Sequence, residues 1–167
     1  MHRFGGESRA EASNARDYDR RMPRRFLLAV AAIAALAGCG TSEDVPVACT
    51  EGAGAVREAL HDAPGVVRVD GSTRLSKCLS SSPDGDQVQV VGAAFVESAS
   101  SLSRDARGHP EGRAALELGY LVAAAHRGGS NQGVHSELLR RLDQETLTID
   151  TRSRAFRRGQ RAGSAGG

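Results

Sequence analysis

Three cysteines, five histidines and scattered carboxylates are the side chains of this 167-residue chain that could do chemistry. Gly52, Gly54 and Arg57 spell G-x-G-x-x-R, which lacks the last glycine of a dinucleotide loop and does not follow a predicted strand. Gly128, Gly129, Ser130, Asn131 and Gln132 approach a nucleophile elbow, but Gln132 stands where the final glycine belongs, so Ser130 reads as a helix cap. Asp84, Gly85 and Asp86 open like a calcium loop, yet the twelfth position, Phe95, cannot supply a bidentate carboxylate. They read instead as a helix start, where acids complement the dipole. His61, His109, His126 and His135 are dispersed, and none has a second ligand type at metal spacing. Glu117 with Tyr120, and Glu137 with Arg140 and Arg141, lie one helical turn apart and suit surface pairs better than an acid and a base. No metal or cofactor is expected, and the chain does not read as an enzyme.

The first segment with a definite meaning precedes all of these. Phe26 to Ala37 reads FLLAVAAIAALA, 12 apolar residues behind Arg20, Arg21, Arg24 and Arg25. A bilayer-spanning helix needs about 20, so this run is the core of a signal peptide. It ends at Leu36, Ala37, Gly38 and Cys39, and at these four positions the chain resembles the lipobox of bacterial lipoproteins. The resemblance implies cleavage before Cys39 and a diacylglyceryl thioether on its sulfur, and hence an exported protein held on the outer face of the cell membrane. Residues 1–21 are a polar extension ahead of the signal peptide (22–38), and Met22 offers an alternative start.

With Cys39 taken by lipid, Cys49 and Cys78 remain, and in an oxidising compartment they are expected to pair. A bond between them closes a loop that restricts the unfolded chain by about 3.6 kcal/mol on the chain-entropy estimate. The core needs such help. After Cys39 the only aromatics are Phe95, Tyr120 and Phe156, so burial falls to Leu, Val and Ala.

Residues 39–150 hold 10 basic and 16 acidic side chains, whereas 151–167 hold five arginines and no acid. With 21 arginines against the single Lys77, arginine usage looks like that of a GC-rich genome and is weak evidence for phosphate binding. No nucleic-acid partner is expected. The basic end could touch anionic headgroups or wall polymers, but its Arg, Gly and Ser content predicts disorder.

Punctuation divides the rest. After a tether at 39–48, Ala53, Val56 and Leu60 recur at helical spacing from about Cys49 to His61, until Pro64 and Gly65. In GVVRVDGSTRLSKC two β-branched stretches flank Asp70 and Gly71, which accept the positive φ of a tight turn. Pairing Val69 with Ser72 would set Val66 opposite Leu75, with Cys78 just past the second strand. Ser82 and Pro83 suit the start of a second helix with the stripe Val88, Val91, Phe95, Ala99 and Leu102. A third carries Ala114, Ala115, Leu118, Leu121, Val122 and Ala125 and closes at Gly128 and Gly129. Ser130 or Asn131 can cap a fourth with Val134, Leu138, Leu139 and Leu142.

The third and fourth helices, EGRAALELGYLVAAAHRGG and GVHSELLRRL, resemble those of uncharacterised lipoproteins and secreted proteins of high-GC actinobacteria, a likeness that implies no activity. The expected fold is thus mostly α, a small bundle of about four helices with a short hairpin and one disulfide, spanning 49–148 ahead of a disordered basic tail at 149–167. The expected role is a non-enzymatic, membrane-anchored interaction or structural module of the envelope, touching an envelope protein or cell-wall polymer. The alternative is a carrier or sensor holding a small apolar ligand between helices.

Overall fold

The computed structural model describes residues 45–81 and 85–167. The extension 1–21, the signal peptide 22–38 with Leu36, Ala37 and Gly38, the lipidation residue Cys39, the tether as far as residue 44, and Ser82 and Pro83 lie outside the described residues. A 3-10 turn at Val47–Thr50 leads into α1 (Ala53–Leu60), β1 (Arg68–Val69), β2 (Thr73–Arg74), α2 (Leu75–Ser80), α3 (Gly85–Gly108), α4 (Arg113–Gly128), α5 (Gly133–Thr146) and α6 (Arg154–Gly166). The protein is mostly helical with a small antiparallel hairpin and one disulfide, as its sequence predicts, but two helices were not legible in the periodicity.

The centre of the fold is α4. Every residue from Ala115 to Ala125 is buried, because α2, α3, α5 and α6 all pack on it. A helix whose residues 115–125 are Ala, Leu, Val and Gly apart from Glu117 and Tyr120 has to be enclosed in this way. On α3 the expected stripe faces inward, with Val88, Val91, Phe95, Ala99 and Leu102 all buried. Its two buried serines tie neighbours to it: Ser98 Oγ donates to the Ala53 carbonyl at 3.2 Å, and Ser103 Oγ to the Glu145 carbonyl at 2.8 Å. On α5, Leu138, Leu139 and Leu142 are buried while Val134 is 45 % exposed. The core and the disulfide lie wholly within the unit Ser42–Gly167.

The end of the chain corrects the expected disordered tail at 149–167. Residues 154–166 form α6, whose Ala155, Phe156, Gly159 and Gly163 are buried along α4. The two backbones meet directly. A Cβ added at Gly159 would run into the Leu116 carbonyl, one at Gly163 into the Tyr120 carbonyl, and one at Gly119 into the Phe156 carbonyl. Both ends of α6 are satisfied. Ser153 Oγ accepts the Phe156 N–H at 3.2 Å, and the Glu111 carboxylate accepts the N–H groups of Arg154 and Ala155 at 3.1 and 3.2 Å. At the other end Arg127 donates to the carbonyls of Ser164 and Ala165. An acid at the N-terminus and a cation at the C-terminus also complement the helix dipole. The arginines on α6 itself, Arg154, Arg157, Arg158 and Arg161, stay exposed.

The hairpin differs in register. Val69 lies opposite Thr73 rather than Ser72, and Arg68 opposite Arg74. Asp70 (φ 57°) and Gly71 (φ 73°) take the left-handed conformation expected of them. The Asp70 carboxylate, however, accepts the N–H groups of Ser72 and Thr73, both at 3.0 Å, and so draws Ser72 into the loop. These bonds, that to Thr73 first, hold the Asp70 carboxyl below its usual pKa. A one-residue slip exchanges the faces of a strand. Accordingly Val67 and Val69 are buried while Val66 is 46 % exposed, and Leu75 begins α2 instead of extending the hairpin.

Candidate functional site

Cys49 and Cys78 are joined, as expected, with their Cα atoms 5.4 Å apart. Their settings are not those predicted. Cys49 sits in the 3-10 turn ahead of α1, and Cys78 in α2, so the bond clamps the chain's entry against α2.

Several of the other chemically suggestive residues serve the fold. Gly52 is the N-cap of α1, with φ 89°. Ser130 does not cap α5, whose N-cap is Gln132. Instead the Ser130 N–H donates to His135 Nδ1 at 3.0 Å, with Ser130 Oγ 3.2 Å from the same nitrogen. That lone pair is already engaged by the backbone, so the imidazole is poorly placed to take a hydroxyl proton. His126 Nε2 meets Asp143 at 2.8 Å and bridges α4 to α5.

Glu117 and Tyr120 are not a surface pair. Glu117 is 4 % exposed and bonded to Arg113 Nε at 2.7 Å, while Arg113 also donates to the His61 carbonyl at the end of α1. Tyr120 is fully buried, its hydroxyl accepting the Val67 N–H at 3.0 Å. The bonds to the His61 carbonyl and the Val67 N–H lock neighbours onto α4. Glu137 is a surface ion pair as expected: hydrogen bonds from Arg140 and then Arg141 lower its pKa to about 2. It stays ionised near neutrality and cannot donate a proton as a general acid. Among the described residues no three His, Cys, Asp or Glu side chains gather into a group that could hold a metal ion.

Two concavities stand out among the described residues. One is a groove of about 750 Å³ between α3 and α5. Val88, Gly92, Ala93, Val96, Val134 and Leu138 supply apolar surface, and Glu97, Arg104, Glu137, Arg141 and Glu145 supply charge. Gly92 admits Leu138, whose Cδ1 lies 3.2 Å from where a Cβ would stand, and this sets the spacing of the two helices.

The other is a cleft of about 610 Å³ bounded by Pro46, the hairpin, α2 and the end of α4. Its described lining includes Arg68, Arg74, Lys77 and Arg127 and the hydroxyl residues Ser72, Thr73, Ser76, Ser80 and Ser81, with no Asp or Glu among them. Arg68 Nη1 donates to the Ser72 carbonyl at 2.7 Å, which holds the guanidinium over the loop. Ser76 Oγ donates to a main-chain carboxylate oxygen of Gly167, the last residue, and α4 comes so near that a Cβ on Gly128 would strike the Ser76 carbonyl. Sequence reasoning missed this cluster. Its cations come from β1, β2, α2 and α4, and no spacing along the chain connects them.

Compared with protein-family models, curated sequences and solved structures, the chain matches none.

Proposed function

We propose that the protein is an exported lipoprotein, anchored by lipid on Cys39 to the outer face of the cell membrane, whose folded unit is a non-enzymatic interaction module of the envelope. The observation that carries this reading is the run Leu36, Ala37, Gly38 and Cys39 at the end of a 12-residue apolar stretch preceded by arginines. A buried disulfide is in keeping with an oxidising compartment. Two or more acyl chains, each buried methylene contributing roughly 0.8 kcal/mol, would hold the protein on a bilayer where one chain would not. Among the described residues no helix is long and apolar enough to cross a membrane. Intact mass of the protein isolated from membranes should show a chain that begins at Cys39 and carries a diacylglyceryl group. Cys39→Ala should abolish the modification. An unmodified Cys39 in membrane-derived protein would overturn the reading.

The groove between α3 and α5 favours a second reading, a carrier or sensor for a small apolar ligand. Its volume, about 750 Å³, lies in the range of small-molecule sites. Ala93 lines the groove and is exposed, so Ala93→Phe should fill it without disturbing the core. Saturable fluorescence enhancement of anilinonaphthalene sulfonate is expected with the parent protein and should be lost in this variant. Identical titrations would count against the groove as a ligand site.

A further inference from the structure

We propose that the basic cleft beside the tether is a binding site for the phosphate of an anionic phospholipid headgroup. Arg68, Arg74 and Arg127 line one concavity that has no Asp or Glu among its described lining residues, in a body whose residues 39–150 carry more acid than base. Like charges gathered against the overall balance raise the local concentration of anions. A guanidinium has five N–H donors. The carbonyl bonds that orient Arg68 and Arg127 therefore leave the planar fork able to grip two phosphate oxygens, the geometry in which arginine binds phosphate best. Asp70, in the hairpin loop, already accepts from Ser72 N, Thr73 N and Ser72 Oγ. Its carboxylate is committed to the loop.

The position of the cleft selects the source of the phosphate. Pro46 is part of its lining, and Cys39 lies seven residues earlier. Seven residues span at most about 25 Å when fully extended. Lipid on Cys39 would keep the cleft within that distance of the headgroup layer, so the choice of lipid over a soluble phosphate rests on the anchor proposed above. A cleft that engages headgroups would fix how the tethered unit sits on the membrane and which faces, the α3–α5 groove among them, turn outward.

The test uses the unit Ser42–Gly167, which has its own core and disulfide and lacks Cys39, so its outcome is independent of lipidation. It should cosediment with vesicles of equal parts phosphatidylglycerol and phosphatidylcholine and not with pure phosphatidylcholine. Each cation near an anionic surface adds appreciably to the attraction, so Arg68→Gln with Arg74→Gln should weaken binding roughly tenfold or more. Arg74→Glu, at an exposed position, serves the same purpose should the double variant fail to fold. Arg157→Gln with Arg158→Gln on the outer face of α6 should change binding less than twofold. Equal binding to both vesicle types, or a greater loss from the α6 pair than from the cleft variants, would overturn the proposal. Capture of soluble glycerol phosphate without vesicle binding would overturn the lipid as its ligand. The anchor itself fails on a different reading, the mass of Cys39 in the mature chain.

Discussion

Phe156→Ala is expected to destabilise the protein by about 3–5 kcal/mol, the usual cost of emptying a buried aromatic site. Phe156 is 3 % exposed in the first turn of α6. It is the only large apolar side chain that helix possesses, since Ala155, Gly159 and Gly163 form the rest of its buried face. No neighbouring side chain on α6 can move in to fill the space. The glycine contacts cannot compensate either, because they depend on the helix being seated: Gly159 and Gly163 cost roughly 1 kcal/mol each in helix propensity relative to alanine and return it only through close approach to α4. Once α6 is loosened, Tyr120, Ala123 and Ala124 on α4 lose their cover. For a domain of this size the expected loss lowers the melting temperature by more than roughly 10 °C. Thermal and denaturant unfolding of the variant check this. A shift of only a degree or two would mean that α6 contributes nothing to the folded unit.

Removing the disulfide should have a comparable effect. Cys49 and Cys78 are 1 % and 0 % exposed, 29 residues apart in sequence. The double variant Cys49→Ala and Cys78→Ala is expected to lose about 2–4 kcal/mol. The segment between them carries short elements, an eight-residue helix, a hairpin of two-residue strands and a six-residue helix, none able to persist alone. Cross-linking the two ends of that segment therefore limits the unfolded ensemble where local structure is weakest. Urea unfolding distinguishes this from simple loss of packing. Without the bond the unfolded chain expands, so the denaturant dependence should steepen while the midpoint falls. An unchanged midpoint would show that the native contacts of α1 and α2 suffice by themselves.

Some of this architecture was legible because local chemistry and periodicity agreed. The stripe Val88, Val91, Phe95, Ala99 and Leu102 marks α3, and Leu138 with Leu142 marks α5. Asp70 and Gly71 announce a turn because few residue pairs tolerate positive φ in succession. The pairing of Cys49 with Cys78 followed once Cys39 was assigned elsewhere. In each case the determining interaction lies within a few residues, or the candidates are so few that elimination decides.

Apart from the hairpin register, the misreadings share one physical cause: the deciding interaction lies far away in sequence. Asp70 shifted the hairpin register through bonds over two and three residues that alternation of apolar positions does not reveal. Glu117 and Tyr120 have the spacing of a surface pair, yet they are interior because helices enclose α4 on several sides. The tail looked disordered because Gly159 and Gly163 read locally as helix-weakening. Their value exists only opposite Gly119, Tyr120 and Ala123, about 40 residues earlier, where a glycine face allows two backbones to touch. The basic cleft is the extreme case, for Arg68, Arg74 and Arg127 belong to three elements and have meaning as a group only after those elements meet. The sequence by itself determined the bond between Cys49 and Cys78 and the helices with large apolar stripes, since both are specified by residue type at short range or by a small number of choices. Tertiary structure alone decided the sixth helix, the burial of α4 and the gathering of cations, because small side chains and like charges carry no signal until a partner surface is opposite them.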